Sequence, residues 1–245
     1  IKRNEWDRGR TWFYGLQVNG TLHDLPDKNG RVIEFFGNSI TAGYAIEDYS
    51  GSDSWDSIYT NNYFTYAAIT ARHYKSDYYC TVKSGIGIMV SWFNLIMPEM
   101  YDRLDPADSL SKWDFSQATP DIAVINLLQN DSWLINMPEH PSFRQRFGDA
   151  APQPHEIVSA YRNFVKDIRA RYPDTYIICT LGSMDATRHD APWPGYVRQA
   201  VSELNDARIL THFFPYTGKE GHPRKEDNEL MAASLIDFIN KNITW

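Results

Sequence analysis

Five short apolar runs, at residues 32–36, 78–82, 122–127, 176–180 and 208–213, alternate with stretches of helical periodicity. This alternation restricts the fold more than any other feature of the chain. The clearest helical patterns cover residues 63–74, 154–171 and 228–240, and in the last of these Leu230, Leu235, Phe238 and Ile239 recur at helical spacing on one face. Strands separated by helices pair in parallel through right-handed crossovers. The expected fold is therefore α/β, a three-layer α/β/α sandwich around a five-stranded parallel sheet. In such sheets ligands bind beyond the carboxyl ends of the strands, so chemistry is to be sought just after each run.

With 245 residues, 42% of them apolar, the chain can bury a sizeable core and fold as one unit. Residues 31–245 are expected to form that unit. Residues 1–30 read as an N-terminal extension or the remnant of a preceding module, with Trp6, Trp12, Phe13 and Tyr14 packing against the sheet. The start at Ile1 is read as the loss of a signal peptide or upstream domain, which makes a secreted or periplasmic location the expectation. A net charge of -7 opposes a nucleic-acid partner, which requires concentrated Lys and Arg. No run approaches the about 20 apolar residues of a membrane span, so no membrane insertion is expected. Cys80 and Cys179 read as small core hydrophobes rather than a disulfide. His140, His155 and the carboxylates between them lack zinc-site spacing, so neither a catalytic metal nor a cofactor is predicted.

Four blocks at strand ends carry candidate chemistry. After the first strand, Gly37-Asn38-Ser39-Ile40-Thr41-Ala42-Gly43-Tyr44 places Ser39 at a strand-to-helix turn, as a nucleophile beside backbone N–H groups or simply as a helix cap. After the second, Ser84-Gly85-Ile86-Gly87 offers glycines whose N–H groups can approach a substrate oxygen, or ordinary turn glycines. After the third, Asn130 is either an oxyanion donor or part of an Asx turn. His222, in Gly221-His222-Pro223 beyond the fifth strand, is placed to take a serine proton and return it to a leaving alcohol. Residues 97–117 and 133–152, long and Pro-containing, are expected to wall the cleft, and Trp133 is the preferred sugar-stacking candidate among Trp55, Trp92, Trp133 and Trp193.

In this order the blocks resemble those of the SGNH hydrolase superfamily, whose members carry Ser, Gly, Asn and His on a flavodoxin-like sandwich. More narrowly, the run from Arg31 to Tyr44, Asn62-Tyr63 with residues 67–72, Trp113-Asp114-Phe115 before Pro120-Asp121, and Gly221-His222-Pro223 look like carbohydrate esterase family two. That family deacetylates plant polysaccharides such as xylan and mannan. The resemblance implies an acetylated carbohydrate as substrate and a small β-sandwich domain upstream. It also implies Ser39 as nucleophile, His222 as general base, and an oxyanion hole formed by the Ser39 and Gly87 amides with the Asn130 side chain, Gly85 being the rival of Gly87.

Three positions depart from the superfamily pattern. Asn38 stands where Asp is common, and Leu128 where glycine usually precedes the asparagine by two residues, which predicts an altered turn under Asn130. Lys219 occupies the usual position of the triad aspartate, three residues before the histidine. Family two members are similar in lacking this aspartate and letting a backbone carbonyl orient the histidine, so the resemblance implies a Ser39–His222 dyad, with Glu220 as the alternative acid. A lipid or thioester hydrolase on the same scaffold, or a degenerate carbohydrate-binding protein, are the competing readings.

Overall fold

The computed structural model describes residue 5, residues 13–24 and residues 30–245. Its elements, in chain order, are β1 (Val32–Gly37), α1 (Ser39–Ala42), α2 (Tyr66–Tyr74), β2 (Asp77–Val82), α3 (Met97–Met100), β3 (Ile122–Asn126), α4 (Gln129–Leu134), α5 (Pro141–Phe147), α6 (Pro154–Arg171), β4 (Tyr176–Leu181), α7 (Trp193–Leu204), β5 (Ile209–Phe213) and α8 (Lys225–Asn242). The strands form one parallel sheet in the order β2-β1-β3-β4-β5. This is the flavodoxin-like order of a doubly wound sheet and the expected SGNH hydrolase fold.

Alternation along the strands sorts their side chains into two cores. Ile33, Phe35, Val124 and Ile178 pack with Tyr66 and Ala67 of α2 and with Met231, Leu235 and Ile239 of α8. Phe36, Ala123, Ile125, Ile177 and Cys179 face the opposite way, against Tyr161, Phe164, Val165 and Ile168 of α6 and Val197 of α7. The three inner strands, β1, β3 and β4, are covered on both faces, which is why their runs read as continuously apolar, whereas the edge strands β2 and β5 are mostly half-buried. The buried stripe of α8 is rotated from the expected one: Leu230 is 72% exposed, and Met231 takes the inward position. Glu34 is the charged exception within β1. Burial pushes its carboxyl up, although it accepts the Tyr172 hydroxyl at 2.7 Å and that of Thr81.

Cys80 and Cys179 are free thiols, as expected. Phe13 and Tyr14 are exposed rather than packed on the sheet, while Trp6 and Trp12 lie outside the described residues. Among the described residues no helix is long and apolar enough to cross a membrane.

Candidate active site

Parallel pairing aligns the carboxyl ends of the strands, so the loops after β1, β2, β3 and β5 meet at one edge. At the end of β1 the chain turns at Asn38, whose Oδ1 accepts the Ile40 N–H at 3.0 Å. The cap of α1 is thus Asn38. Ser39 is free of that role, and its Oγ lies 2.8 Å from His222 Nε2.

The other imidazole nitrogen has a carboxylate partner. His222 Nδ1 is 2.7 Å from Asp53 Oδ2, which also accepts the His222 backbone N–H at 2.8 Å. Arg224 Nη2 lies 2.7 Å from the second carboxylate oxygen. Burial opposes the charge on Asp53. The hydrogen bond and charge of His222, the Arg224 guanidinium and the backbone N–H outweigh it and hold the carboxyl at about 2. The expected dyad is therefore corrected to Ser39–His222–Asp53. Neither of the residues considered from sequence takes this place: the Lys219 ammonium pairs with Asp227 at 2.5 Å, and Glu220 is exposed.

Asp53 reaches the site on the loop between α1 and α2. That loop is wrapped around Asp48, which is 1% exposed and accepts the Ser50 and Ser54 N–H groups at 2.9 and 2.7 Å and the Ser50 and Ser52 hydroxyls. On the other side, Gly221 sits at φ +82° with its Cα against the Asp53 carboxylate, where an added Cβ would meet both oxygens at 2.8 Å. Only glycine allows the approach. The Tyr44 ring completes the packing, 4.8 Å from the His222 ring, with its hydroxyl donating to the Asp53 carbonyl at 3.2 Å.

Ser39, His222, Tyr44, Gly85, Asn130 and Trp133 line one cleft of about 410 Å³, a volume suited to a small ligand or one end of a larger one. Gly85 occupies the third position of a turn closed by the Ile86 N–H on the Lys83 carbonyl at 3.2 Å, and its φ of +81° is that of a type II turn. Among the described residues its N–H has no acceptor. Gly87, expected to donate to the oxyanion, does not line the cleft, and its N–H is given to Ser91 Oγ at 3.0 Å. Gly85 is the glycine that faces the cleft. Asn130 Nδ2 donates to the Ile86 carbonyl at 2.8 Å, which leaves its second hydrogen free for a ligand.

Below Asn130, Leu128 takes a left-handed backbone at φ +79°, a conformation glycine adopts readily, and its side chain is fully buried in the core. Burial of a leucine, worth about 1.5–3 kcal/mol, offsets a left-handed strain of about 1–2 kcal/mol. Asp131, the next residue after Asn130, is buried and accepts the N–H groups of Ile88, Met89 and Val90, tying the loop after β2 to α4. Burial pushes its carboxyl up despite these donors.

Of the two long segments expected to wall the cleft, residues 133–152 contribute Trp133, whose Nε1–H donates to both oxygens of Asp185 at 3.0 and 2.9 Å. Residues 97–117 contribute nothing. The wall is built instead from residues 83–93, with Trp92 and Phe93. Trp193 is buried and Trp55 is 70% exposed outside this cleft. No three His, Cys, Asp or Glu side chains cluster as a metal site among the described residues.

Residues 35–212 match the GDSL-like lipase/acylhydrolase family. The chain belongs to that family. It is 31% identical to the cellulase/esterase CelE of Acetivibrio thermocellus, aligning over its whole length with 30% of that protein. It is 22% identical to an acetylxylan esterase / glucomannan deacetylase of Cellvibrio japonicus, spanning 66% of it. Among solved structures it resembles a family two carbohydrate esterase from Clostridium thermocellum in complex with cellohexaose, with 30% identity, a TM-score of 0.77, and 91% of this chain and 68% of that one covered. A family two enzyme with a carbohydrate binding domain from Corynascus thermopiles (Myceliophthora fergusii) shares the fold, with a TM-score of 0.80 at 22% identity. This member of the acylhydrolase family thus spans 30% to 66% of the length of these curated relatives.

Proposed function

We propose that this acylhydrolase-family chain is a serine esterase that removes O-acetyl groups from carbohydrate, xylan and mannan being the candidate polysaccharides. The observation that carries the reading is the continuous hydrogen-bonded path from Ser39 Oγ through His222 to Asp53, opening on a cleft with uncommitted N–H donors. His222 Nε2 takes the serine proton as Oγ attacks the acetyl carbonyl, and Asp53 holds Nδ1–H and stabilises the imidazolium. The oxyanion is received by the N–H groups of Ser39 and Gly85 and the free amide hydrogen of Asn130. His222 then protonates the departing sugar oxygen. Water, deprotonated by the same nitrogen, then attacks the acyl carbon, and the imidazolium returns the proton to Ser39 Oγ as acetate leaves.

Support for a sugar substrate comes from the relatives named above, including the one that holds cellohexaose. Within the cleft, Trp133 offers an indole face fixed by Asp185, suited to stacking on a sugar ring. An upstream carbohydrate-binding or β-sandwich domain and export from the cytoplasm belong to the same proposal. The test is acetate release from acetylated xylan, mannan and pectin, with butyrate, octanoate and thioester substrates alongside. Preference for acetate on a polysaccharide supports the reading. Preference for long acyl chains or thioesters overturns its carbohydrate part.

Asn130→Ala is expected to lower kcat about 100- to 1000-fold with little change in KM, since its free hydrogen acts on charge present only in the transition state. Steady-state kinetics on p-nitrophenyl acetate read this directly. An unchanged kcat removes Asn130 from the oxyanion hole.

A further inference from the structure

Trp92 lines the cleft and is 42% exposed, as expected of a sugar platform, yet its polar contacts have another logic. Its backbone N–H donates to the Gly85 carbonyl at 3.0 Å, and its Nε1–H donates to Asn130 Oδ1 at 3.1 Å. Asn130 Nδ2 in turn donates to the carbonyl of Ile86, the residue joined to Gly85. Gly85, Ile86, Asn130 and Trp92 therefore close a ring of one peptide link and three hydrogen bonds. Packing reinforces it, because Gly85 sits directly against the Trp92 side chain, whose Cδ1 would be 3.3 Å from a Cβ at that position.

The ring leaves no freedom to the Asn130 amide. The indole nitrogen can only donate and the Ile86 carbonyl can only accept, so the oxygen of the amide must face Trp92 and the nitrogen must face Ile86. A flipped amide would set donor against donor and acceptor against acceptor. Only in the observed orientation does the second Nδ2 hydrogen remain for an oxyanion. We infer that Trp92 is a positioning residue of this site, orienting the Asn130 amide and seating the Gly85 turn so that both present their N–H groups to the acetyl oxygen. The inference rests on the proposed esterase reading, and it assigns to Trp92 an effect on kcat rather than on sugar affinity.

The test is a double-mutant cycle of Trp92→Phe and Asn130→Ala on p-nitrophenyl acetate, a substrate with no sugar to stack. Because Phe also changes packing, 3-benzothienylalanine is placed at position 92 as well; it keeps the bicyclic shape and replaces the N–H by sulfur. Both replacements are expected to lower kcat about five- to tenfold, the loss of one hydrogen bond, with KM within about twofold, because only transition-state binding is removed. In the Asn130→Ala background the same replacements should cost little more, since the group they orient is gone. Multiplicative losses would overturn the inference, and an unchanged kcat with a higher KM confined to oligosaccharide substrates would overturn it and make Trp92 a sugar platform. Full activity in Asn130→Ala would overturn the inference together with the oxyanion assignment, whereas the multiplicative result leaves that assignment standing.

Discussion

Ser39→Ala is expected to lower kcat on p-nitrophenyl acetate by about a millionfold, the scale at which removing a serine nucleophile collapses a coupled triad. Fluorophosphonate should label the wild-type protein and leave this variant unlabelled, since labelling requires a hydroxyl activated by an adjacent base. The structure also separates this loss from any loss of folding. The α1 cap is the Asn38 side chain, and the Ser39 hydroxyl is directed to His222 Nε2 instead of a backbone N–H. Removing Oγ should therefore leave the thermal midpoint close to that of the wild type. A reduced midpoint with retained acetate release would assign Ser39 to the helix start and dismantle the esterase reading. Labelling with no acetate release from any polysaccharide would keep the nucleophile and redirect the search to other acyl donors.

The parts of this site that were legible in the sequence are those held at strand ends. Residues 32–36 and 122–127 announce themselves as doubly covered strands, and Ser39, Asn130 and His222 follow strand ends closely enough that the sheet itself brings them to one edge. α7 was not legible from periodicity because Pro192, Pro194 and Gly195 crowd its start, although proline in a first turn is compatible with a helix. The choice between Gly85 and Gly87 turned on an acceptor, Ser91 Oγ, that no motif reports. At Leu128 the sequence signalled a departure, but not the buried packing that offsets its left-handed strain. Asp53 was the largest gap. It lies 169 positions from His222 on a loop with no periodic signal, and the run Asp48-Tyr49-Ser50-Gly51-Ser52-Asp53-Ser54 reads as a solvated turn until Asp48 is seen folding it inward. The serines spaced around Asp48 and Asp53 were the sign that the sequence offered.

Asp53→Asn should lower kcat about ten-thousandfold, comparable to the penalty of a wrong imidazole tautomer in other serine triads. The neighbours of Asp53 make the asparagine a conflicted replacement. Arg224 offers N–H donors to one oxygen, while the backbone N–H and Nδ1–H of His222 offer theirs to the other. An amide has a single oxygen, so one side must face its NH₂ group. Turned toward His222, that group forces the tautomer with hydrogen on Nε2, which cannot accept the Ser39 proton. Turned toward Arg224, it leaves a guanidinium facing a donor and removes the charge that stabilises the imidazolium. The same carboxylate carries an acid-side signature in stability. Its pKa in the folded chain is lowered to about 2, against about 3.9 for a free aspartate. Its contribution is thus fully present above about pH 4 and lost as pH falls toward 2, where the folded state must also take up the proton. Thermal melts of the wild type and Asp53→Asn should therefore differ most above about pH 4 and converge on acidification. Kinetic loss without that convergence would locate the effect of Asp53 in the chemistry alone, and retained kcat in the variant would return the site to a Ser39–His222 dyad.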